Sequence, residues 1–126
     1  MIEFTIPIPP RTKKNHQHIF VNKKTGRPFV STSDAYKAYS KAALMVIPKE
    51  ARQKIDYPVN IKALYYMDSR RIVDRPGLEQ CLNDVLVAAG VLADDNSRIA
   101  ATADGSRVLY DKEHPRTEIT ITRLED

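Results

Sequence analysis

A single cysteine, Cys81, leaves this 126-residue chain no internal disulfide, so packing must hold the fold and the composition fits a reducing compartment. No apolar run approaches the roughly 20 residues that span a bilayer. The first ten residues, MIEFTIPIPP, lack a basic leader followed by an apolar core, so no signal peptide and no membrane partner are expected and a cytoplasmic location follows. Internal repeats, low-complexity tracts and linkers are also missing, and the length suits one domain with a real core. Positive charge is what the chain has in excess: Lys and Arg number 20 against 16 Asp and Glu, a net charge of +4.

That excess is unevenly placed. Basic residues gather at positions 11–14 (RTKK), 23–27 (KKTGR) and 70–75 (RRIVDR), each in or beside a predicted loop. Any one cluster is as well explained by solvated loop charge as by phosphate contacts. Three together favour a polyanion, with Arg11, Lys13, Lys14, Lys23, Lys24, Arg70, Arg71 and Arg75 as candidate DNA-binding residues.

Periodicity and punctuation give the elements. Residues 3–6 read as a strand, stopped by the prolines at 7, 9 and 10, which cannot donate to a ladder. Residues 18–22 and 27–31 flank a lysine-bearing turn with Gly26 and read as a hairpin. Residues 34–47 read as a helix with Ser33 as N-cap and Asp34 in the first turn, ended by Pro48. A polar connector over 48–57, with at most a turn of helix, leads to an alternating strand over 59–67. Beyond Asp74, Leu78, Cys81, Leu82, Val85, Leu86 and Ala89 recur at three- and four-residue spacing, which marks one buried stripe and makes Cys81 a core residue. Pro76 suits that helix's first turn and Gly90 the position after its last. Residues 98–103 and 107–110, with Asp104 and Gly105 between, read as a strand or hairpin, and 116–124 as a strongly alternating last strand. This order predicts an α+β fold, a small mixed β-sheet packed with two main helices.

Three acids frame the second helix: Asp74 just before it, Asp94 and Asp95 just after. Carboxylates beside a polyanion cost free energy unless a divalent cation sits between, so acids in a basic chain point to metal-assisted chemistry on nucleic acid. A helix of about 13 residues spans about 20 Å, so acids at its two ends share an ion only if the loops fold back alongside it. Plainer readings stand beside this one. Asp74 is placed to cap the helix, Asp94-Asp95-Asn96 to form a polar turn, and Asp84, within the helix, to make a structural hydrogen bond. His16 and His18 would share one face of a strand, without a third zinc ligand in register. Tyr36 and Tyr39 read as packing groups, with base stacking as their other use.

The central segment resembles the RusA-like family of Holliday junction resolvases, which carry an Asp-x-Asp-Asn-Leu-x-Lys stretch, a helix with a Leu-Asp-x-Leu core and a glycine closely followed by an Asp-Asp pair. Asp74 matches the first aspartate, Leu78 the leucine, residues 82–86 the helix core, Gly90 the glycine, and Asp94 with Asp95 the pair. The arginines at 70 and 71, the proline-rich and basic stretch 7–15 and the alternating last strand are similar too, so the resemblance covers essentially the whole chain. It implies a homodimer that binds four-way DNA junctions and nicks two strands symmetrically in recombination and repair, using Mg2+ or Mn2+, in bacteria and their phages. Asp74, Asp94, Asp95 and Arg71 would be catalytic, with Asp74 and Asp95 holding the ion and Asp94 assisting.

This chain departs from the pattern at Pro76 in place of the second aspartate, Gly77 in place of the asparagine and Gln80 in place of the lysine. Losing one carboxylate and one cation weakens metal binding and stabilises transition-state charge less well. Either Asp68, Glu79 or Asp84 rebuilds the site, or the chain is a structure-selective DNA binder that cuts poorly.

Overall fold

The computed structural model describes residues 1–12, 18–21, 24, 28–31 and 34–124. In chain order its elements are β1 (Ile2–Ile6), β2 (His18–Val21), β3 (Pro28–Ser31), α1 (Asp34–Val46), a 3-10 helix (Lys49–Ala51), β4 (Val59–Met67), α2 (Arg75–Ala88), β5 (Ala100–Thr102), β6 (Arg107–Tyr110) and β7 (Arg116–Arg123). The architecture is α+β: a mixed five-stranded sheet and two helices, with β2 and β3 forming a separate antiparallel hairpin.

The sheet is ordered β1-β7-β4, with β5 and β6 both on the far side of β4. β7 runs antiparallel to both of its neighbours, whereas β5 and β6 run parallel to β4. Alternation decides which face is covered. Val59, Ile61, Ala63, Tyr65 and Met67 of β4 are buried together with Thr117, Ile119 and Ile121 of β7 and with Phe4 and Ile6 of β1. The intervening Asn60, Lys62, Leu64 and Tyr66 lie on the more open face. There Arg116 stacks 3.8 Å over the Tyr66 ring and pairs with both Asp111 and Glu118.

Both helices contribute one stripe each to this core. α1 buries Tyr36, Tyr39 and Ala43, with Ile47 following, and α2 buries Gly77, Leu78, Cys81, Leu82, Val85 and Leu86. Cys81 is a core residue, as its place on the stripe predicts. Tyr36 and Tyr39 are buried packing groups, and burial raises the Tyr39 phenol's pKa. α2 closes in a Schellman motif: Gly90, at φ +80°, donates to the Val87 carbonyl, and Val91 donates to that of Leu86.

Arg52 joins the two helix ends. Its guanidinium donates to the carbonyls of Leu44 and Ile47 at the end of α1 and to Ala89 at the end of α2, satisfying orphan acceptors of both. Sequence reading placed Arg52 in a polar connector and missed this role, since nothing local marks a side chain that reaches across the fold.

Residues 98–110 form neither one strand nor a hairpin. β5 and β6 are two pieces of a broken edge: β5 pairs with Val59 and Asn60, β6 with residues from Leu64 to Met67, and the chain leaves the ladder between them. Two side chains support the break. The Asn60 amide donates to the Asp104 carbonyl and its oxygen accepts from Thr102 Oγ1 and the Asp104 N–H. Ser106 Oγ accepts from the Ala63 N–H, filling a vacant ladder position. Gly105 takes φ +86° with the Lys62 side chain 3.2 Å from where a Cβ would stand.

Candidate nucleic-acid interface and acid clusters

β4 positions the first cluster by delivering the chain to Asp68 at its C-terminal end, where the N-terminal extended segment crosses it. Arg11 donates to both Asp68 carboxylate oxygens, at 3.2 and 2.9 Å, and to the Pro10 carbonyl at 2.9 Å. Such a bidentate pair fixes direction as well as proximity. Arg11, predicted as a DNA contact, therefore has its charge offset by Asp68 and ties two segments together.

Beside this pair lies an open cleft of about 640 Å³, lined among others by Arg11, Thr12, Asp68, Ser69, Arg71 and Ile72. Arg70 and Arg71 are exposed on the loop that follows, and the Arg70 guanidinium sits 4.1 Å over the Tyr110 ring. Arg75, at the start of α2, is exposed and lies 3.4 Å from Glu79, a surface pair of small energetic weight. Arg70, Arg71 and Arg75 thus share one end of β4 with Asp74.

Asp74 occupies the N-cap position of α2 in extended conformation, but its side chain makes no capping hydrogen bond. The carboxylate lies over Gly77, with Oδ2 3.1 Å from where a Cβ would be. Its position fits the capping reading and its bonding does not.

Asp94 and Asp95 are elsewhere. Leu92 bridges to Ile55, Ala100 pairs with Val59, and the two acids lie between, near the start of β4. Asp74 lies beyond the end of β4, and α2, 14 residues and about 21 Å long, separates the two groups. The loops do not fold back along the helix. Asp94 accepts the Asp95 N–H at 2.8 Å and the Asn96 amide at 2.9 Å, while Asn96 accepts the Arg98 N–H at 3.0 Å. These bonds, the Asp95 N–H first and the Asn96 side chain second, hold the Asp94 carboxyl below its ordinary pKa. Locally this is the polar turn that composition predicts, with Asp95 exposed beside it.

Among the described residues, no three His, Cys, Asp or Glu side chains are placed to hold one metal ion. Asp68 is engaged with Arg11, Glu79 and Asp84 lie farther along α2, and none of the three belongs to such a group of three with Asp74. Lys24 is exposed between β2 and β3, whereas Lys13, Lys14, Lys23, His16 and the Ser33 cap fall outside the described residues. No helix among the described residues is long and apolar enough to cross a membrane. No protein-family model matches the sequence, and no curated protein matches it either.

Proposed function

We propose that the protein is a RusA-type endonuclease that binds four-way DNA junctions as a homodimer and resolves them by paired nicks with Mg2+ or Mn2+. The observation that carries this reading is the clustering of Asp74, with no capping bond, and exposed Arg70, Arg71 and Arg75 in the segment that follows β4, where Arg71 lines the open cleft. Guanidinium groups pair with phosphate oxygens and offset the negative charge that builds as the phosphodiester is attacked. Arg71 and Arg75 take that role, and Arg11 orders the cleft through Asp68. Lys13, Lys14, Lys23 and Lys24 hold the junction arms.

Carboxylates are the right donors for a hard divalent ion, but among the described residues no three converge within one chain. Their separation along α2 favours a site shared between copies: two antiparallel α2 helices would bring Asp74 of one copy to Asp94 and Asp95 of another. A two-fold dimer would then carry two equivalent sites, which suits symmetric nicking.

Pro76 and Gln80 favour a second reading, a junction binder that cuts little. A denaturing-gel assay on a synthetic four-way junction, with Mg2+, Mn2+ or EDTA, separates the two. Metal-dependent paired nicks that vanish in Asp95→Asn, with junction binding kept, are expected of the nuclease. Binding without nicks supports the second reading, and equal binding to junction and linear duplex overturns both.

A further inference from the structure

We propose that Ile72 is an apolar wedge that enters the opened base stack at the branch point of the DNA, an inference that rests on the junction-binding reading above. Ile72 is fully exposed, the most exposed of the large apolar side chains among the described residues. Burying an isoleucine is favourable, so Ile72, open to water on the wall of the cleft beside Arg71, stands to gain from a partner that covers it. Its surroundings indicate which kind. Arg70, Arg71 and Arg75 flank it in sequence and are all exposed, a setting that suits a polyanion's apolar interior better than an apolar protein surface.

The loop is held rather than loose. Asp68 is locked to Arg11 at one end, Arg70 stacks on Tyr110, the Arg71 N–H reaches Ser69 Oγ at 3.4 Å, and Val73 packs against the core. Ile72 is therefore the one apolar side chain of residues 68–74 that points out of the fold, two residues before Asp74. Inserting an apolar side chain between bases costs unstacking energy in a continuous duplex. At a four-way junction the arms can unstack at the exchange point into an open form without breaking a continuous duplex, so the same insertion covers base faces that are easily opened. The arginines would contact phosphate in any DNA, and Ile72 would supply the preference for a branch.

The test compares wild type, Ile72→Ala and Ile72→Leu on a four-way junction and a linear duplex carrying 2-aminopurine, at the branch point and mid-duplex respectively. Expected is a rise in 2-aminopurine fluorescence on junction binding by wild type and Ile72→Leu, lost in Ile72→Ala. The junction-over-duplex preference of Ile72→Ala should fall about tenfold with an unchanged salt slope. Wild-type selectivity that survives in Ile72→Ala with the fluorescence rise intact overturns the wedge and leaves junction binding standing. A wild type without junction preference overturns the underlying reading and the wedge with it. A shift of Ile72→Ala from dimer to monomer by light scattering, with branch selectivity kept, assigns Ile72 to a protein interface and also overturns the wedge.

Discussion

Asp74 sits where a helix cap belongs without bonding as one, and Gly77 shapes the space its carboxylate uses. A Cβ at position 77 would meet the flexible end of Asp74 rather than backbone. Gly77→Ala should thus leave thermal stability equal or raised, since alanine gains up to about 1 kcal/mol over glycine in a helix. On the proposed nuclease reading it should lower junction cleavage by displacing the carboxylate, and a melting curve with a gel assay checks both. Asp94 gives a pH prediction. Its folded pKa is depressed below the ordinary 3.8, so its stabilisation is fully present above that value and is lost as pH falls through the folded one. Asp111 behaves alike, held low by the His114 N–H and by Arg116. Denaturant titrations from neutral pH down through the acid range should show a shallower loss of stability in Asp94→Asn with Asp111→Asn than in wild type. Composition alone allowed Asp94 to be a turn residue or a ligand, and its bonds in one chain are those of the turn. What sequence could not show was the Arg11–Asp68 pair, because its partners lie 57 positions apart.

At the scale of elements, local signals were legible where the physics was local. Spacing and punctuation located α2, and Gly90 adopts the left-handed conformation expected after its last turn. Gly90→Ala should cost about 1–2 kcal/mol in chemical denaturation, the strain of a side chain in that region. The same local signals misled over residues 98–110. Asp104-Gly105 between two short strands suggests a hairpin, yet both pieces pair with β4, whose Asn60 and backbone supply the bonds that a hairpin partner would have made. Asn60→Ala should unravel that stretch and cost about 1–3 kcal/mol through stranded polar groups, seen as faster amide exchange at Asp104 and Thr102.

For the whole molecule, the mixed sheet and two helices were legible in the order of elements, while the separation of Asp74 from Asp94 and Asp95 depended on how the loops ran. The shared-site reading has a decisive test in mixed dimers. Asp74→Asn and Asp95→Asn homodimers should each be inactive, whereas a heterodimer of the two should recover one intact site and make single nicks. Sites built within one chain would leave every combination dead. Replacing Arg70 and Arg71 by Ala should also reduce the slope of log affinity against log salt by about 2, roughly 0.9 per lost phosphate contact. The interruption between β5 and β6 has one more effect. An uninterrupted outer strand offers a row of free N–H and C=O groups to any passing chain, a template for fibrous growth. Here that row is cut into runs of three and four residues, with Gly105 turned out of line and Lys62 packed beside it, so self-association through this side is held to short, poorly matched stretches.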